Sequence, residues 1–182
     1  DGKPAFFDKA DALGMSVVMK QYLAGLLAHS AETTYFLAPY INSYKRFARG
    51  TFAPTRIIWS VDNRTAGYRV CGDGTSGVRV ECRIGGSDLN PYLAMAAQLA
   101  AGLSGIEAGM ELPHPAKGDV YKGRTAMLPT SLRDARVAML KSKMLGEAFG
   151  EAVVRHYARA AEWEIEEFDR IVTDYEVARG FE

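Results

Sequence analysis

The 182-residue chain carries 22 Lys and Arg against 22 Asp and Glu, a formal net charge of zero, and 48% of it is hydrophobic. It is about one domain long and has enough apolar residues for a real core, while the charge balance excludes a dedicated nucleic-acid binder, which needs a basic excess to exploit counterion release. No apolar run reaches bilayer length, and the first residues do not read as a signal peptide, so neither a membrane nor nucleic acid is an expected partner.

The opening DGKPAFFDK is turn-like. Val17, Val18, Tyr22, Leu26 and then His29 or Ser30 recur at helical spacing, which predicts a helix over 16–37, limited by Pro39. Residues 42–47, NSYKRF, read as a helical turn, and Gly50 and Pro54 bracket a loop. Three strands are predicted at 56–62, 66–71 and 77–83; their short links make them antiparallel neighbours. The link Gly72-Asp73-Gly74-Thr75-Ser76-Gly77 satisfies GxGxxG, but it joins two strands. A dinucleotide site needs that motif between a strand and a helix, so the segment reads as a hairpin loop.

Asn90 caps a helix over 91–107 with Pro91 at its first position, where a missing N–H costs nothing, and Gly109 is its stop. The Ala and Leu content of that helix favours helicity and close packing. Residues 111–123 form a loop. Ser131 and Asp134 resemble a capping box ahead of a helix over 132–143. From Glu147 to about Ala178, apolar residues at Phe149, Val153, Tyr157, Ala161, Ile165, Phe168, Val172 and Tyr175 predict one long amphipathic helix with a break near Gly146 or Gly150. The class is α+β, an antiparallel sheet flanked by helices with a long helical tail.

The two cysteines, Cys71 and Cys82, make no disulfide framework; a hairpin would bring them near each other, yet they read as reduced thiols of a cytoplasmic protein. The three histidines, His29, His114 and His156, have no metal-ligand spacing and read as structural.

In GVRVECRIGG, strand alternation puts Arg79, Glu81 and Arg83 on one face and Val78, Val80, Cys82 and Ile84 on the other. Taken alone, that charged face is a solvated surface with cross-strand ion pairs. Arg46, Arg64, Arg69, Arg79 and Arg83 all fall on or beside the three strands, however, and crowded like charges repel unless an anion joins them. Arginine suits phosphate and carboxylate because its fork binds both in bidentate fashion. A carboxylate among arginines suits a hard divalent cation bridging phosphate oxygens. Residue chemistry alone therefore favours a site for phosphate plus Mg²⁺.

Asn42-Ser43-Tyr44-Lys45-Arg46, Ala53-Pro54, Asp62-Asn63-Arg64, Tyr68-Arg69-Val70, Arg79-Val80-Glu81-Cys82-Arg83 and Asn90-Pro91-Tyr92-Leu93 resemble, in order and spacing, the C-terminal part of the glutamine synthetase catalytic domain. The resemblance assigns 1–112 to that half-domain and 113–182 to its loop and helical tail. It implies an ATP-dependent ligase that forms γ-glutamyl phosphate and couples it to an amine. It further implies that Arg46, Arg64 and Arg83 bind glutamate, that Arg64 also meets the transferred phosphate as the catalytic arginine, that Arg69 and Arg79 bind ATP, and that Glu81 is a ligand of Mg²⁺ or Mn²⁺.

Three departures stand out. The family's other metal carboxylates, its metal-binding histidine, its Asn-Gly glutamate loop and its small N-terminal domain all precede the first residue here. The chain thus reads as an excised part, expected to be inactive alone, of a parent that resembles ring-shaped homo-oligomers. Phe52 stands where the family flap carries a glutamate that captures ammonium; an aromatic ring there favours a larger amine, as in the γ-glutamylpolyamine synthetase branch, with an ordinary glutamate–ammonia ligase as the alternative. Ser76 stands where an ATP-side lysine is expected. Tyr121 falls near a tyrosine that some members adenylylate, but its surroundings differ and it reads as an ordinary loop residue. A non-catalytic binding or structural relative is the third reading, disfavoured because a scaffold has no need for an unpaired cationic funnel.

Overall fold

The computed structural model describes residue 2 and residues 4–180; Asp1 and Lys3, within the turn-like start, and Phe181 and Glu182 lie outside the described residues. Ser16 opens the first helix, α1 (Val17–Ala28), its hydroxyl accepting from the Met19 amide. The helix expected over 16–37 is two helices. At His29 the chain leaves helical geometry (φ −102°, ψ 10°), and α2 (Ser30–Leu37) follows. Three hydroxyls turn back there, Ser30 onto the Leu26 carbonyl, Thr33 onto His29 and Thr34 onto Ser30. Such back-bonding competes with the main-chain ladder and bends helices. His29 bridges the break, with Nδ1 3.1 Å from Glu32 and Nε2 3.1 Å from Ser104. Burial pushes the Glu32 carboxyl up, but hydrogen bonds from His29 and Ser142 outweigh it and hold the group below its usual range.

A 3₁₀ turn (Ile41–Arg46) precedes the strands β1 (Trp59–Val61), β2 (Tyr68–Cys71) and β3 (Arg79–Cys82), which lie side by side in chain order. The β2–β3 pair is antiparallel as expected, with Arg69 opposite Glu81. The β1–β2 pair is parallel, which corrects the all-antiparallel expectation; Ser60 lies beside Arg69 and Val61 beside Val70. Asp62 (φ 44°) and an Asn63 turn carry the chain back to begin β2 alongside the start of β1, rather than as a hairpin. The sheet is therefore mixed and the class remains α+β.

Helix α3 (Pro91–Glu107) has the bounds predicted, with Asn90 Oδ1 accepting from the Tyr92 and Leu93 amides and Gly109 at φ 59° beyond its end. α4 (Leu132–Leu140) stops short of the predicted end because Ser142 caps a separate helix, α5 (Lys143–Phe149). The single tail helix is three: Gly150 at φ 84° separates α5 from α6 (Glu151–Phe168), and α7 (Asp174–Gly180) follows a turn. The apolar face of the sheet, with Trp59, Tyr68 and Val70, joins Met19, Leu23 and Leu26 of α1 and the Ala94, Ala97, Ala101 row of α3 in one core. α4 packs on α2 and α6 on α4, with Tyr157 of α6 meeting the rings of Tyr35 and Phe36 on α2. No helix among the described residues is long and apolar enough to cross a membrane.

The α1–α3 crossing is nearly backbone on backbone. A Cβ at Gly25 would lie 2.2 Å from the Ala101 carbonyl oxygen, one at Gly105 2.2 Å from that of Gln21, and one at Gly102 2.0 Å from the Tyr22 ring. Alanine gains up to about 1 kcal/mol of helix propensity over glycine, but overpacking costs about 1–3 kcal/mol, and at Gly25 and Gly105 the obstructing atoms are main chain. Gly105→Ala and Gly25→Ala are each expected to lower unfolding free energy in urea by about 1–3 kcal/mol. Unchanged midpoints would show that the helices separate freely.

Candidate functional site

The polar face of the sheet is built by the alternation that buries the other. Ser60, Arg69 and Glu81 lie abreast across the three strands. Glu81 bonds on both sides: Oε2 lies 3.2 Å from Arg69 Nη1 and Oε1 2.8 Å from Arg83 Nη1. Arg83 reaches further. Its Nε donates to the Arg64 carbonyl at 2.8 Å and its Nη2 to the Phe52 carbonyl at 3.3 Å. One guanidinium thus ties the strand carboxylate, the turn after β1 and the 50–54 loop together.

The parallel β1 brings in a second carboxylate. Asp62 continues the Ser60 side of β1 past the end of the ladder, and its Oδ1 accepts from Arg69 Nε at 3.0 Å and from Arg69 Nη2. The Arg69 bond holds the Asp62 carboxyl below its usual range, and the Asp62 bond pushes the Arg69 guanidinium up. The segment 113–118 runs along the other side of β1: Trp59 Nε1 donates to the Pro113 carbonyl at 2.7 Å, Ser60 to the Ala116 carbonyl at 2.6 Å, and Asn63 Nδ2 to the Gly118 carbonyl at 2.7 Å. Between this segment, the Asp62–Arg64 turn and the loop carrying Phe52 opens a cleft of about 690 Å³, lined by Phe52, Asp62, Arg64, Arg69 and Lys117 among others. Arg64 and Lys117 are exposed at its wall. Tyr121, buried, donates from its hydroxyl to the Ala53 carbonyl at 2.9 Å and so fixes the far side of the same loop.

Arg69, Glu81 and Arg83 meet, with Arg64 beside them through its carbonyl. Arg46 and Arg79 are placed elsewhere. Arg46 sits at the end of β3, donating to the Arg83 carbonyl at 3.3 Å and to that of Ile84, and burial lowers its pKa. Arg79 is exposed and turns back onto the Gly77 carbonyl at 3.2 Å. The expected unpaired cationic funnel is in fact half paired, because Glu81 and Asp62 neutralise Arg69 and Arg83. Asp62 was legible only as part of a motif. Its pairing needs a parallel strand and a left-handed backbone that a non-glycine sequence does not advertise. Cys71 and Cys82 are free and project to opposite faces of the sheet.

Among the described residues no three His, Cys, Asp or Glu side chains gather into a metal site. Glu81 and Asp62 offer hard oxygen donors, but each is bonded to guanidinium, so these residues do not by themselves fit the six-oxygen shell of Mg²⁺.

The glutamine synthetase catalytic-domain model matches residues 1–180. The chain is 48% identical over 182 residues to γ-glutamylethanolamide synthetase GlnA4 of Streptomyces coelicolor, covering 100% of this chain and 38% of that protein. It is 40% identical over 186 residues to type-1 glutamine synthetase 2 of Dictyostelium discoideum, covering 100% of this chain and 36% of that one. The solved structure of GmaS in complex with ADP superposes with a TM-score of 0.83 at 30% identity, over 94% of this chain and 41% of the other. The chain thus spans 36–41% of the length of these relatives.

Two outcomes test the geometry. Arg83→Ala is expected to release the loop around Phe52 and speed hydrogen exchange of the Ala53 amide about tenfold or more; an unchanged rate would mean that Tyr121 alone holds it. The folded-state pKa of Asp62 lies below its unfolded value, so its contribution to stability is full above the ordinary carboxylate range, about pH 4, and is lost as pH falls through the lowered pKa. Asp62→Asn is expected to remove that part of the acid dependence, read from urea unfolding between about pH 5 and pH 2; parallel curves for the two proteins would refute it.

Proposed function

The chain belongs to the glutamine synthetase family, and we propose that the full-length protein is an ATP-dependent carbon–nitrogen ligase joining the side-chain carboxyl of glutamate to an amine larger than ammonia. The observation that carries the reading is one cleft bounded by cationic Arg64, Arg69 and Lys117 and covered by the exposed side chain of Phe52. A cationic wall suits two anionic substrates and the charge that spreads over a transferring phosphoryl group. A side-chain carboxylate oxygen of glutamate attacks the γ-phosphorus and ADP leaves. The amine nitrogen then attacks the acyl carbon of γ-glutamyl phosphate and loses a proton, and inorganic phosphate leaves.

In this reading Arg64 meets both the glutamate carboxylate and the transferring phosphoryl group, Arg83 holds glutamate and Arg69 meets the nucleotide; Arg46, bonded to the Arg83 carbonyl, and the exposed Arg79 do not line the cleft. Glu81 is the carboxylate that would supply one oxygen to a nucleotide-bound divalent ion, the rest of whose shell these residues do not provide. Residues 1–112 carry most of the site and 113–182 support it, Lys117 and Tyr121 entering from the latter. The ADP bound by GmaS and the ethanolamide made by GlnA4 support the nucleotide and the larger amine.

Phe52 has no charge to draw ammonium and no lone pair to take its proton; its ring covers an alkyl chain instead. The alternative, an ordinary glutamate–ammonia ligase, draws on the relatives that are glutamine synthetases. Steady-state kinetics of the full-length protein with glutamate, ATP and either ammonium, ethanolamine or putrescine decide between them. A higher kcat/KM for a larger amine is expected, with Phe52→Glu raising the relative use of ammonium about tenfold or more. A clear preference of the wild-type protein for ammonium would overturn the larger-amine reading.

A further inference from the structure

We infer that Asp62 is the acceptor-recognition residue of this cleft: its carboxylate holds a second hydrogen-bond donor, a hydroxyl or a second ammonium, carried by the amine. The inference rests on the ligase reading above and narrows its substrate class to amino alcohols and diamines.

The cleft is bipolar. Arg64, Arg69 and Lys117 make one wall cationic, while Asp62 is the one acidic residue among those lining it. Both Arg69 bonds fall on Oδ1, and among the described residues Oδ2 has no hydrogen-bond partner, with the side chain 70% exposed. Arg69 keeps this carboxyl below its usual range, so it is ionised at neutral pH. Toward phosphate and glutamate alone this carboxylate is a liability, because an anion beside anionic substrates repels them and offsets the field of Arg69. A cationic or hydroxyl-bearing partner is what a free carboxylate oxygen in a largely cationic cleft recognises.

The backbone adds an independent observation. Among the described residues, Phe52 (φ 59°) and Asp62 (φ 44°) are the non-glycine positions with positive φ, and both line this cleft. A left-handed backbone is unfavourable for a bulky residue such as phenylalanine, and strain of this kind persists only where surrounding contacts over-determine it, typically at ligand sites. Here those contacts are visible: Arg83 and Tyr121 hold the carbonyls of Phe52 and Ala53, and Arg69 holds Asp62. The pair offers an aromatic face for an alkyl chain and a carboxylate for its far end. Only one nitrogen of such an amine enters the amide bond; the group at Asp62 leaves unchanged.

The test is a ratio, so that a general loss transmitted through Arg69 cancels. In the full-length protein, kcat/KM is measured with putrescine, ethanolamine and isopropylamine for wild type and Asp62→Asn, asparagine being a residue that tolerates positive φ. The preference for putrescine or ethanolamine over isopropylamine is expected to fall about 10- to 100-fold, the effect of losing a hydrogen bond to a charged group. A ratio unchanged within about twofold would overturn the inference and leave Asp62 as a residue that positions Arg69. Wild-type preference for isopropylamine over both polar amines would overturn it while the ligase reading stands. Failure of the wild-type protein to join any amine, ammonium included, to glutamate would overturn the ligase reading, and the inference with it.

Discussion

A shared carboxylate holds this site together. Unit charges of like sign about 4 Å apart repel by about 4 kcal/mol at an effective dielectric near 20, so Arg69 and Arg83 need an anion between them. Glu81 gives one oxygen to each. That frees the rest of the Arg83 fork to reach the Arg64 and Phe52 carbonyls, and the rest of the Arg69 fork to reach Asp62. The Phe52 loop and the Asp62–Arg64 turn are connected to the sheet by these guanidinium groups, and segment 113–118 docks along β1. Without Glu81, the two arginines would separate and the loops they hold would lose their reference point.

The direction of β1 decides what kind of cleft results. In an antiparallel hairpin the residues after Val61 would fold back beside the start of β2. In the parallel pairing they continue along β2, and Asp62 arrives beside the Arg69 side chain. The cost is a left-handed Asp62 and a tight Asn63 turn. The result is a second anion at the cleft, which turns a uniformly cationic wall into one with two polarities.

How far the sequence revealed this depends on which physical signal each feature leaves. The faces of β3 were legible because alternation is a property of every strand, and Asn90-Pro91 marks the start of α3 because capping chemistry is local. The break at His29 was hidden: its cause is hydroxyls of Ser30, Thr33 and Thr34, which in sequence look like ordinary polar positions on a helix. Likewise Ser142 reads as a helix interior until its hydroxyl is seen on the Leu145 amide. Strand direction left no mark at all, since a short link favours antiparallel pairing. The arginines were found by number and proximity, but where each points is a tertiary fact. Arg46 spends bonds on main-chain carbonyls at the end of β3, and Arg79 folds onto its own loop, although both are close in sequence to the cluster.

Phe52 shows why the cleft is better read as built than as drifted. A neutral change in an exposed loop would settle into whatever backbone suits the new side chain. Phenylalanine here keeps a left-handed backbone, at a cost of order 1–3 kcal/mol, and remains 59% exposed, so its ring gains little burial in return. The conformation is held from outside, by Arg83 on its own carbonyl and Tyr121 on the next. Both anchors grip main chain and so would hold any side chain at this position in the same place over the cleft. The identity of residue 52 therefore changes the chemistry of the lid without changing its position. One substitution at this position can therefore change what the mouth of the cleft offers a ligand while the guanidinium framework beneath stays intact.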